Sequence, residues 1–164
     1  MGFTSSQAQG FSWESFLPLV ERGERVVVAA PVFREYPLME ALWKRLKAGR
    51  GGVYLIGSRE APMDKASYFL VFSHWNAGLY LVDSWPLKPE GSFVVVDGRR
   101  GVIGPQVAGL ADPEGRTRSL TEEEAAAWWG YAQRLMASGR PFHYNLEAAA
   151  LLHVMRRLGL LKGR

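Results

Sequence analysis

Three short runs leave this chain few folds to choose from. Residues 25–30 read Arg-Val-Val-Val-Ala-Ala, residues 53–56 read Val-Tyr-Leu-Ile, and residues 93–96 read Phe-Val-Val-Val. None alternates apolar with polar side chains, as a strand with one wet face does. Runs of this kind are strands covered on both faces. Between the first two, Pro37 opens a helical stretch in which Leu38, Leu42 and Leu46 form one apolar stripe, widened by Met39 and Trp43. Lys44, Arg45 and Lys47 load its last turn with positive charge, which the helix dipole favours. Strand, helix and strand within about 30 residues make a βαβ unit. Its strands should be parallel and its crossover right-handed.

The rest of the chain follows the same logic. Residues 12–21 read as a first helix capped by Ser12, with Phe16, Leu19 and Val20 at helical spacing and Gly23 at its exit. Residues 66–72 fit either a helix or a strand, and 79–82 read as a short strand. Asp97-Gly98 is a turn, with Val102-Ile103 returning as the hairpin partner of 93–96 and Arg99 and Arg100 at its tip. Residues 111–119 read as a polar loop. Thr121 with Glu124 makes a capping box, Ser119 with Glu122 being the other register. The helix beyond should bury Ala125, Trp128, Trp129, Ala132, Leu135 and Met136. A last helix is expected at 146–158, with Leu151, Val154 and Leu158 on one side, as an oligomer interface or a core element. Residues 1–11 are expected to be disordered and 12–164 to form one α/β domain, a mixed sheet with helices on both faces.

Composition removes several classes. The chain has 164 residues, 48% of them hydrophobic, enough for a core. It has no cysteine, which excludes disulfide scaffolds, thiolate metal sites and cysteine nucleophiles. No apolar run is long enough to span a bilayer as a helix. Twenty basic residues against 16 acidic give a net charge of +4, a mild pointer to anionic partners. Arginine outnumbers lysine 15 to 5 and asparagine occurs twice, a balance that suits a thermophile or a GC-rich genome. The polar start lacks a basic segment and an apolar core, so the expected location is cytoplasmic. Export with a leader removed is the alternative.

Residues 90–107 carry a more specific pattern, Glu-Gly-Ser-Phe-Val-Val-Val-Asp-Gly-Arg-Arg-Gly-Val-Ile-Gly-Pro-Gln-Val. It resembles the signature of the phospholipase D superfamily: His-x-Lys, four residues, Asp, six residues, then Gly-Ser-x-Asn. Asp97 and Gly104 fall on the signature's Asp and Gly. Glu90 stands where the family has histidine, Ser92 where it has lysine, Pro105 where it has serine and Val107 where it has asparagine. The order of elements from about residue 12 to 138 is similar to the family's as well.

The resemblance implies a phospholipase D-like sheet with a degenerate motif. In the family the histidine attacks a phosphodiester, while Lys, Ser and Asn hold the phosphate oxygens and a second motif supplies the acid. Family enzymes of this length pair two chains, so a homodimer is one expectation. Two copies of this chain would still lack all four groups. A carboxylate at Glu90 repels phosphate, Val107 and Pro105 offer no side-chain hydrogen bond, and Pro105 lacks an N–H. The chain therefore reads as a pseudoenzyme that binds itself, another protein or a phosphate-bearing ligand. Two alternatives stay open: a phosphodiesterase or nuclease using displaced residues, and a non-cleaving nucleic-acid-binding domain.

Few other residues suggest chemistry. His74, in Ser73-His74-Trp75-Asn76, is the outlying catalytic candidate, its bland reading being a loop histidine bonded to backbone. His143 and His153 fit helix-entry and packing roles. No cofactor is implied, and no histidine pair has metal-ligand spacing. Glu122-Glu123-Glu124 is acidic charge at a helix start. Trp75 and Trp85 lie in loops, free to stack on a ligand. If the fold brings Arg99 and Arg100 beside Arg116 and Arg118, the four would form a phosphate-binding face.

Overall fold

The computed structural model describes residues 11–142, 153–155 and 157–159, without the side chain of His74. Its centre is a seven-stranded mixed sheet built around the three apolar runs. In chain order the elements are α1 (Trp13–Arg22), β1 (Val26–Ala29), α2 (Tyr36–Lys47), β2 (Val53–Ser58), β3 (Ala77–Val82), β4 (Phe93–Val96), β5 (Arg100–Ile103), α3 (Pro105–Ala108), β6 (Arg118–Ser119), α4 (Glu122–Ser138) and β7 (Arg140–Pro141). The strands lie in the order β6-β5-β4-β1-β2-β3-β7. β1, β2 and β3 are parallel neighbours, as the βαβ reading requires. β4 joins the other side of β1 antiparallel, and β5 returns beside it as a hairpin.

Helices on both faces explain the missing alternation. Val26 and Val28 of β1 point into a core closed by α1, α2 and α3, with Phe16, Val20, Leu38 and Leu42 packed there. Val27 and Ala29 point into a second core closed by α4 through Ala125, Ala132 and Leu135. All four β1 residues are fully buried. Ser12 caps α1 by accepting from Glu14 N–H at 3.2 Å, and Gly23 ends it by donating to the Leu19 carbonyl at 2.8 Å. At α4 the capping box takes the Thr121–Glu124 register.

Several expectations change. The ambiguous segment forms a 3-10 turn, Phe69–His74, because Phe69 and Phe72 must both reach the first core from one short connection. The polar loop at 111–119 ends in strand β6. Trp128, Trp129 and Met136 are half-buried rather than sealed, since α4 leaves part of its sheet face open. Trp43 rests on Trp75 near the surface, ring centroids 6.1 Å apart. Phe11, expected to be disordered, packs edge-on against Trp13 at 4.7 Å. Among the described residues of the last helix, Met155 is buried, whereas Val154 and Leu158 are exposed. Residues 1–10 and 146–152, and with them Leu151, lie outside the described residues, as does His143.

The largest departure concerns Arg45. Its dipole position predicts a surface charge, yet it is 3% exposed. Nη1 donates to the Val20 and Gly23 carbonyls at 2.8 and 2.7 Å. Nη2 reaches those of Glu24 and Gly51 at 3.1 and 2.6 Å, and Nε also reaches Gly51 at 3.2 Å. These carbonyls terminate α1 and feed β1 and β2, so one guanidinium satisfies the chain ends at which two central strands begin. Arg45→Met should cost about 3–4 kcal/mol in urea denaturation, because several buried carbonyls lose a charged donor at once. Arg45→Lys, with three donors and no planar fork, should recover part of it. A loss below about 1 kcal/mol for Arg45→Met would refute the assignment.

Candidate functional site

The two ends of the β4–β5 hairpin receive different residues of the 90–107 segment. At the start of β4 a 3-10 turn, Pro89–Gly91, carries Glu90 on the surface. Ser92 follows and is fully buried, its N–H donating to the Pro89 carbonyl at 3.0 Å. Its Oγ has no hydrogen-bond partner among the described residues. The Ser92 carbonyl accepts from Gly104 N–H at 2.8 Å, tying the end of β5 to the start of β4. Gly104 holds φ +144°, and a Cβ there would lie 2.3 Å from Thr117 Cα, so only glycine fits. Pro105 then opens α3, and Val107 is buried in the first core. Ser92, Gly104, Pro105 and Val107 thus share one end of the hairpin but build a packed wall.

Asp97 lies at the opposite end, in the turn, with φ 56°. Its Oδ1 accepts from Glu24 N–H and Arg25 N–H, both at 2.9 Å, while its own N–H donates to the Arg25 carbonyl at 2.9 Å. The carboxylate anchors the hairpin to the loop that enters β1. It is a structural group.

A groove of about 460 Å³ opens at the carboxyl ends of β1 and β2 beside the Glu90 turn, where open α/β sheets commonly bind ligands. Pro31, Val32, Trp85, Leu87 and Leu110 make it mainly apolar. Its polar groups are Glu60 and the pair Arg34–Asp64, joined by Nε–Oδ2 and Nη2–Oδ1 bonds of 2.7 and 3.0 Å. The Asp64 hydrogen bond raises the Arg34 pKa. Two carboxylates against one engaged guanidinium make this a poor seat for phosphate. Arg34 and Asp64 come from separate loops with no motif between them, so sequence reading passed over both.

Comparison with solved structures decides the fold. The chain is similar to NucT from Helicobacter pylori, with a TM-score of 0.62 and 14% identity over 79% of this chain and 90% of that one. It is similar to Nuc from Salmonella typhimurium, a phospholipase D family member, with a TM-score of 0.61 and 15% identity over 84% and 94%. The fold is phospholipase D-like. It is also similar to phosphatidylserine synthase from Haemophilus influenzae Rd KW20, at 0.53 and 13%, covering 93% of this chain but 44% of that one. No protein-family profile and no curated protein matches the sequence.

Within this phospholipase D-like frame the four arginines do not meet. Register places Arg118 opposite Ile103, at the far end of β5 from the turn that holds Arg99. Arg116 is ion-paired with Glu114. Arg118 makes two bonds of 3.0 Å to the Glu124 carboxylate. Only Arg99 and Arg100 stay together. The backbone of His74 closes the Phe69–His74 turn, and its side chain lies outside the described residues. No cluster of three potential metal ligands occurs among the described residues, nor a helix long and apolar enough to cross a membrane.

Two outcomes are expected. Ser92→Ala should raise stability by about 1 kcal/mol, because it removes a buried hydroxyl that bonds to nothing among the described residues; a clear loss would mean the hydroxyl has a partner. The Arg118 bond, followed by the Thr121 N–H, holds the Glu124 carboxyl down at about 2, from an ordinary 4.5. The pair's contribution is therefore complete above 4.5 and lost as pH falls through about 2. Carboxyl NMR should find that low midpoint, and Arg118→Ala should return it toward the ordinary value.

Proposed function

We propose that this chain is a catalytically degenerate phospholipase D-like domain that acts by binding. The supporting observation is what fills the motif end of the sheet. Cleavage of a phosphodiester needs a nucleophile and donors aimed at the oxygens where charge builds. At the four positions where the sequence resemblance expects such groups, the side chains are a surface carboxylate, a sealed hydroxyl, a buried proline and a buried valine. Only Glu90 reaches solvent there, and its charge opposes a phosphate. The groove beside it keeps the volume of a ligand site, with an apolar lining and acidic groups in its wall. The proposed unit is a single domain spanning residues 12–164.

An assay with bis(p-nitrophenyl) phosphate and with single-stranded and duplex DNA tests this. Turnover should equal that of buffer, with or without chelator, and His74→Ala should behave like the parent chain. Sustained hydrolysis that copurifies with the protein and disappears in His74→Ala would replace this reading with that of an enzyme using a displaced histidine.

A further inference from the structure

The end of the sheet away from the motif carries a different surface. Arg25 precedes β1 and Arg99 sits in the β4–β5 turn, so both lie at the amino end of β1. That end is roughly 13 Å from the groove side along a four-residue strand. Arg22, Arg25, Arg99 and Arg100 are all exposed there, and none forms an ion pair among the described residues. Three carboxylates stand among them, Glu24, Asp97 and Glu122. Asp97 already accepts two backbone N–H groups through Oδ1. The balance is positive.

Two hollows adjoin here. One, of about 400 Å³, is lined by Glu24, Arg25, Asp97, Arg99 and Trp129. The other, of about 290 Å³, is lined by Arg25, Trp129, Tyr54 and Tyr80 with Gln133 and Met136. Arg25 and Trp129 border both, the guanidinium 5.7 Å from the indole centroid. Gly78 makes room for the tyrosines, since a Cβ there would fall 2.9 Å from the Tyr54 ring and 3.3 Å from the Tyr80 ring. α4 leaves this part of its sheet face uncovered.

We propose that this arginine–aromatic surface binds single-stranded nucleic acid. Exposed guanidiniums on one hollow suit phosphates, and aromatic rings in the adjoining one suit an unstacked base. A duplex hides its base faces and could use only the arginines. From the preceding reading the proposal takes only that the chain binds without cleaving.

The test is anisotropy with a dye-labelled oligothymidylate on the whole chain across a salt series. The strand should bind at low salt and weaken as salt rises. Arg99→Ala with Arg100→Ala, both exposed, should flatten the log–log salt slope by roughly 1.4, at about 0.7 per phosphate contact. Arg116→Ala, at the other end of β5, should leave it unchanged. An abasic strand of equal length should bind about tenfold more weakly, the scale of one lost stacking contact. Three results would overturn the proposal: no binding at low salt, equal loss in Arg116→Ala, or equal affinity for the abasic strand or a duplex. Cleavage of a bound strand would instead overturn the non-catalytic reading and leave this surface standing.

Discussion

A short loop held between two opposite charges governs how this sheet begins. The Gly23 and Glu24 carbonyls accept from Arg45, and the Glu24 and Arg25 N–H groups donate to Asp97. One peptide segment thus has its acceptors met by a buried guanidinium and its donors by a carboxylate. Desolvation lowers the Arg45 pKa, and the Asp97 charge acts in the opposite direction. The arrangement fixes where β1 enters, and so the register of β2 on one side and β4 on the other. Without it, polar backbone would be buried unpaired at the ends of the most deeply buried strands.

The same loop links scaffold to surface. Arg22 and Arg25 flank it, and Asp97 ties it to the turn that holds Arg99. Asp97 therefore supports the architecture, while Ser92, Pro105 and Val107, at the other end of the hairpin, are buried. The hairpin end that holds Ser92, Pro105 and Val107 is closed to solvent and packs as part of the interior.

Much of the fold was legible in sequence because its signals are local. Ser12, Pro37, Gly23 and the Thr121–Glu124 box act within one helical turn, and the expected helices appear with those ends. The valine-rich runs announce two-sided burial directly. Segment 69–74 was harder, since two buried phenylalanines three residues apart are too short a run to separate a helical turn from a strand. Trp128 and Trp129 match a core stripe, but how far α4 covers its sheet face depends on strands far away in sequence.

Sequence alone determined the class of fold and the βαβ core, because each rests on residue identity and short-range spacing. Tertiary structure decided what the charges do. Arg45 and Lys47 look alike in a helix's last turn, yet one is buried on carbonyls from two loops and the other lies over the exposed Trp43 ring. Arg118 looks like a free cation until β6 pairs with β5 and the turn into α4 brings Glu124 to it. Arg25, Arg99 and Trp129 are distant along the chain and meet only once β1 and β4 are neighbours. Solvation and pairing of a charge are set by what folds against it, and that information is non-local.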